Sequence, residues 1–223
     1  MSTFDFGDGP VPAHQHKNPR GSLGGWVADT AYVASSAHVG ENARVYGKAQ
    51  VSGSARVTGT ARVFGSASVS DNAHVAGNAT VRGHARVSDN VYVAGAAIVR
   101  GHARVYGDAR VLGEAVVGGG ARVYGYACVA GEAIVSGAAV VTERHHLIYL
   151  EGLGENGGLT MFRTAGGGHM IQAGCWSGTL RAMRVNLAMR DTHGWNNPER
   201  CEGQYLSVLP ALAFHKKLWK REG

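Results

Sequence analysis

The hexapeptide Val-Arg-Gly-His-Ala-Arg occurs twice, at 81–86 and again at 99–104. It supplies Arg82, His84 and Arg86, then Arg100, His102 and Arg104, and Arg122 stands eighteen residues beyond Arg104. Tyr106 and Tyr124 each lie two residues past an arginine of this series. Guanidinium groups take up phosphate or carboxylate through paired N–H bonds, imidazole is a titratable donor, and aromatic rings beside cations suit stacked bases. The chemistry these residues offer together is capture of an anion, and no residue among them is assigned a catalytic role. Duplication of a repeat would also copy the arginines, and Asp71 or Asp108 nearby would soften their repulsion.

What positions these side chains is a repeat. Valine recurs at every sixth position from Val27 to Val141, twenty times without an interruption. Alanine stands two residues before each valine from Ala31 to Ala139, with Val91 the one exception. Residues two apart in a strand share a face, so Ala and Val point one way and the residue between them the other. A strict period of six excludes an amphipathic helix, whose apolar positions recur at three and four. Glycine or Asp-Asn fills the remaining positions, where the chain must turn and positive φ is tolerated. Strand and corner taken three times give a triangular coil of eighteen residues. Residues 75–90 match 93–108 at eleven of sixteen positions, which supports that coil length independently. Twenty hexads make just under seven coils, a parallel β-helix roughly 30 Å long at a strand spacing of ~4.8 Å.

Residues eighteen apart then stack into ladders. One face carries Arg44, Arg62, Thr80, Ile98, Val116 and Ile134 at its strand centres. Ile98, Val116 and Ile134 are apolar and point outward, which marks a subunit or domain interface. The next face carries Tyr32, Gln50, Ser68, Arg86, Arg104, Arg122 and Val140, with Ser88, Tyr106 and Tyr124 beside the arginines. Its feeding corner carries Arg82, His84, Arg100 and His102. Like charges opposite each other in a sheet are destabilising, and an anionic partner would relieve the cost.

The uninterrupted Ala-x-Val hexads resemble the left-handed hexapeptide β-helix family known from trimeric acyltransferases. Over residues 27–141 the resemblance implies left-handedness, a homotrimer and, as an alternative function, coenzyme A-dependent acyl transfer with His84 or His102 as general base. Loops inserted between coils usually build the acceptor pocket in such enzymes, and none interrupts the hexads here. The lead-in GPVPAHQHKNPRGSLGGWVADTAYV (9–33) and the segment GCWSGTLRAMRVNLAMRDTHG (174–194) resemble hexapeptide-repeat proteins carried by bacteriophages and prophages. Trp176, where phenylalanine is expected, and Leu-Gly-Glu-Asn at 153–156 depart from that pattern. This second resemblance implies a phage-encoded protein acting on a host process such as defence, with a host protein as a further candidate partner.

Three regions are expected: a lead-in or cap at 1–26, the β-helix at 27–142, and a small α+β domain at 143–223. In the last, strands are expected at 147–150, 158–164 and 169–174. A helix capped by Thr179 or Ser177 should run to about Thr192, and a second from about Glu199 to Lys220. Uncovered sheet edges invite end-to-end pairing, so both flanking regions are most simply caps.

Other candidates carry less. Cys175 precedes the expected helix start and is followed by Asp191 and His193, a conceivable nucleophile set. His14, His16, His145 and His146 match no zinc spacing and read as cap residues bonded to backbone, so neither metal nor cofactor is expected. Glycines are plentiful, 34 in all, but none belongs to a phosphate-cradling Gly-x-x-x-x-Gly-Lys-Ser/Thr sequence. Three cysteines, an odd number without metal-ligand spacing, argue against a disulfide framework, and no run of apolar residues is long enough for a membrane span. The acidic start lacks an apolar signal core, so a cytoplasmic protein is expected, in the host cytoplasm if phage-encoded. The reading that follows is a non-enzymatic, oligomeric binding protein for a nucleotide, a nucleic acid or an acidic protein surface; a plain structural rod is the remaining alternative.

Overall fold

A computed structural model describes residues 2–154, 157–188 and 198–219. The hexads form two-residue strands from Tyr32–Val33 to Val140–Val141, and these stack in three parallel sheets. The first face begins at Leu23–Ala28 and ends at Ile134–Val135. The second runs from Tyr32–Val33 to Val140–Val141, and the third from His38–Val39 to Cys128–Val129. Seven, seven and six solenoid strands make six full turns and two strands more. Register is eighteen residues throughout, as in Arg86 beside Arg104 and Val87 beside Val105. Each outward residue therefore lies directly over its counterpart one coil away.

The interior is uniform. Every Ala and Val of the repeat from Ala37 to Val141 is at most 1% exposed, and Val91 fits the alanine lane without leaving it. Backbone N–H groups donate to the next coil, as from Arg86 to the Ala103 carbonyl at 2.9 Å. The corners explain the glycines. Gly83 has φ +74°, and a Cβ there would come within 3.0 Å of the Gly101 nitrogen. Asp71 and Asp89 take the same left-handed conformation at φ 60°. Their carboxylates accept from Asp89 N–H and Gly107 N–H, one coil away in each case, and so tie successive corners together.

Both ends of the prism are covered, and polar side chains close the raw edges. At the amino end, Pro10–Lys17 pairs antiparallel with Leu23–Ala28, and Thr3–Asp5 pairs with Pro10–Lys17, extending the first sheet. Asn18 accepts from Val39 N–H at 2.9 Å and donates to the Val39 carbonyl at 3.1 Å, completing the first strand of the third sheet. Gly24 and Gly25 cross so closely over this coil that a Cβ on either would collide with the carbonyl of Val39 or Ala43. At the other end, Thr160 accepts the Ile134 N–H at 3.0 Å and Phe162 plugs the valine core.

The carboxy-terminal region is a four-stranded antiparallel sheet of Leu147–Leu153, Gly157–Arg163, His169–Ala173 and Trp176–Gly178. Along Gly157–Arg163 the side chains alternate: Thr160 and Phe162 serve the solenoid, while Leu159 and Met161 pack under the helices. Those helices are α1 (Leu180–Ala188) and α2 (Pro198–Leu218). Thr179 caps α1 by accepting from Ala182 N–H at 3.2 Å. Two expectations need correction here. Ser177 lies in a fourth strand that the sequence pattern did not reveal, so it is no cap. Cys175 sits exposed in the turn before that strand, so the strand Trp176–Gly178 separates it from the start of α1. Asp191 and His193, its suggested companions, lie outside the described residues, as do the end of the first expected helix at Thr192 and Lys220.

Candidate anion-binding face

The second face is built in three parallel lanes, because residues two apart along each strand all point outward. One coil presents His84, Arg86 and Ser88; the next presents His102, Arg104 and Tyr106; the third presents Gly120, Arg122 and Tyr124. Arg86, Arg104 and Arg122 occupy the middle lane in direct register, and all three are exposed. In the corner lane the His84 and His102 rings stack with centroids 5.0 Å apart and planes within 2°. In the third lane Tyr106 and Tyr124 stack at 4.6 Å and 5°. Burial between its neighbours, aided by Tyr124 and opposed by Arg122 and Arg104, pushes the Tyr106 phenol above its ordinary value, so it stays a neutral donor. Arg82 and Arg100 stand at the edge shared with the first face. Arg82 is half-buried, and Arg100 lies against Gly118, where a Cβ would meet its side chain at 3.5 Å.

Among the described residues no carboxylate forms an ion pair with Arg86, Arg104 or Arg122. His14 on a lead-in strand pairs with Asp29, in the turn after the next strand, at 2.8 Å, far from the arginines in sequence. Next to Arg86 the face dips into a shallow groove lined by Lys48, Gln50, Ser66, Ser68, Ser70 and Asp71. Lys48 and Ser66 lie below His84 in its lane, and Gln50 and Ser68 lie below Arg86. Lys48 and the serine hydroxyls were not among the expected site residues, although eighteen-residue stacking alone places them here. Asp71 is the single carboxylate in the groove; it accepts from the Ser70 hydroxyl at 2.8 Å.

On the first face Ile98, Val116 and Ile134 are adjacent and in register, each half-buried within the single chain. The carboxy-terminal sheet reaches Ile134, whose N–H donates to Thr160. The third face carries His38, Arg56, His74 and Tyr92 in register, with His74 Nε2 2.8 Å from the Thr58 hydroxyl. Two further histidines bond near the ends of the prism. His16 reaches the Ala37 carbonyl at 3.0 Å, and His146 Nδ1 accepts from Thr142 and Glu143 N–H at 3.3 Å. Among the described residues no three His, Cys, Asp or Glu side chains converge as a metal site.

The family pattern described as the YdcK beta solenoid repeat matches residues 103–119, which span the coil bearing Arg104 and Tyr106. The chain is a β-solenoid repeat protein. No curated protein matches it. No solved structure matches it either. No helix among the described residues is long and apolar enough to cross a membrane.

Proposed function

We propose that this β-solenoid is a non-enzymatic binding protein whose second face captures an anionic ligand. The observation that carries the reading is Arg86, Arg104 and Arg122 in direct register, exposed, with no carboxylate paired to them. Such a ladder is held together by the coils beneath it and lowers its own repulsion when an anion lies along it. Tyrosine rings in the neighbouring lane favour a nucleotide or single-stranded nucleic acid over an acidic protein surface, since a base can stack where a carboxylate cannot. In this reading the protein acts as a homo-oligomer, a trimer by resemblance, with the Ile98, Val116 and Ile134 stripe covered. A phage or prophage setting, with a host process as target, belongs to the same proposal.

The test is a titration of wild type and of an Arg86→Gln, Arg104→Gln double variant with a dinucleotide and with single-stranded DNA, at two salt concentrations. Wild type should bind more weakly as salt rises, because the attraction is coulombic and screened. The double variant should lose binding and keep its fold. Equal affinity in both proteins would remove the ligand from this face. The structural-rod reading draws on the fold alone, and it would be favoured if neither ligand bound. Acyl transfer is less favoured, because the strands recur from His38–Val39 to Val140–Val141 without an inserted loop to build an acceptor pocket.

A further inference from the structure

A second group of cations converges at the amino end of the third face, where a turn outside the repeat brings Arg20 beside the hexad residues His38 and Arg56. The turn at 18–22 closes on itself, with Gly21 N–H donating to the Asn18 carbonyl at 2.8 Å and Asn18 N–H to the Ser22 carbonyl at 2.9 Å. The Asn18 side chain pins this turn to Val39 through two hydrogen bonds. Arg20 and Ser22 are thereby held against the start of the third face, where His38 and Arg56 are neighbours in register. Arg20, Ser22, His38, Ser54 and Arg56, with Asn18 and Pro19, line a hollow of about 280 Å³, and no carboxylate is among them. Burial first, then the fields of Arg56, His16 and Arg20, hold the His38 imidazole below its ordinary value. The hollow thus gathers two guanidinium groups, an imidazole and two hydroxyls with no carboxylate in its lining.

We propose that this hollow binds a phosphate group, either inorganic phosphate or the terminal phosphate of a phosphomonoester. Donors reach it from the turn (Arg20, Ser22) and from the face (His38, Ser54, Arg56), so they surround a tetrahedral group of acceptors better than a planar carboxylate. The volume exceeds one phosphate and leaves room for the first atoms of an ester substituent. The site is separate from the arginine ladder of the second face and stands whether or not that face binds anions. A bound dianion reverses the field on His38, so the imidazole takes up a proton as the ligand enters. The charged groups facing His38 are Arg20 from the turn, Arg56 from the next coil and His16 from the lead-in strand. His74 follows one coil further on, beyond Arg56.

The full-length protein would be titrated with inorganic phosphate and, separately, with a simple phosphomonoester, following the His38 ring resonances and the heat of binding. Saturable binding is expected, with the His38 titration moved to higher pH by the ligand. Arg20→Gln and Arg56→Gln should each weaken binding about tenfold or more, since each removes charge-assisted bonds. Arg86→Gln with Arg104→Gln should leave the ligand-induced shift of the His38 resonances in place, whatever it does to the total heat, which separates this site from the second face. Tighter binding of the ester would assign the site to phosphomonoesters, and equal binding to free phosphate. Absence of saturable binding by both compounds overturns the proposal. So does a ligand-induced His38 shift that survives in Arg20→Gln and Arg56→Gln alike, or a His38 titration that the ligand leaves in place. Arg20 is exposed on a turn, so Arg20→Gln should stay folded even if Arg56→Gln does not.

Discussion

Over coils four to six, the first and second faces of the prism share one interior and differ in everything they show outside. The first presents Ile98, Val116 and Ile134; the second presents Arg86, Arg104 and Arg122. Beneath both lie the same alanines and valines, at most 1% exposed, in the same eighteen-residue register. Nearer the amino end the characters are exchanged: Arg44 and Arg62 stand on the first face, Gln50 and Ser68 on the second. The coil therefore accepts isoleucine or arginine at a strand centre with equal ease. The inward lanes report what the fold requires, and the outward lanes report what each face meets.

The largest expected effect comes from breaking that division at one coil. Val87→Asp places a carboxylate with no partner among valines and alanines, at a cost of several kcal/mol. Ala85→Leu overpacks the same coil by a typical 1–3 kcal/mol. Arg86→Gln, between the two in sequence and pointing the other way, should melt close to wild type. Thermal denaturation followed by circular dichroism orders the three. Were Val87→Asp to melt like wild type, the inward assignment of the valine lane would be lost.

Next comes the first face alone. Ile98→Lys with Ile134→Lys should convert a homo-oligomer into monomers, because apolar cover contributes roughly 25 cal/mol per Å². Light scattering reads this directly. A monomeric wild type would leave the stripe as half-buried β-branched side chains that suit a strand and meet no partner.

Much of this contrast was legible in the sequence, because an unbroken period converts residue number into position. The unbroken run from Val27 to Val141 dictates the coil, the register and both ladders. What escaped was whatever depends on chain that leaves the period. The lead-in returns antiparallel and extends the first sheet, so Asn18 reaches Val39 and Arg20 joins the rim of a hollow with His38 and Arg56. The strand Trp176–Gly178 is three residues long and carries too little pattern to distinguish it from a helix cap. Thr160 as the closing acceptor for Ile134 follows from the alternation of its strand, but only once that strand is seen lying across the open end.

A smaller effect should separate the third face from the other two. His38 and His74 flank Arg56 in register, and both imidazoles are held below their ordinary value, by burial first and by Arg56 next. A group whose folded pKa is depressed contributes stability above its unfolded value and loses it as pH falls through the folded one. The melting temperature should therefore fall on acidification from about pH 6.5, the reference imidazole value. Arg56→Gln should reduce that loss without abolishing it, because the burial contribution remains. A pH profile that is the same in wild type and Arg56→Gln would mean that Arg56 does not act on these rings.

The smallest effect compares two arginine pairs that look alike in sequence. Arg86 and Arg104 stack on the second face with neither ring nor carboxylate as a direct partner, so changing both to glutamine removes repulsion and should raise the melting temperature slightly. Raising the salt concentration should erase that gain, since the charges are exposed and screened. Arg44 and Arg62 are stacked in the same way, but the guanidinium carbon of Arg44 lies 5.2 Å from the centre of the Phe4 ring. Phe4 in turn stacks on Trp26 at 4.8 Å, at the start of the same face. Removing Arg44 forfeits a cation–π contact of about 0.5–1 kcal/mol along with the repulsion. The two double variants should therefore shift in opposite directions at low salt: upward for the second face and downward for the first. Equal upward shifts would mean that Phe4 does not hold Arg44 in solution, and that the arginine ladders of both faces are repulsive in the same way.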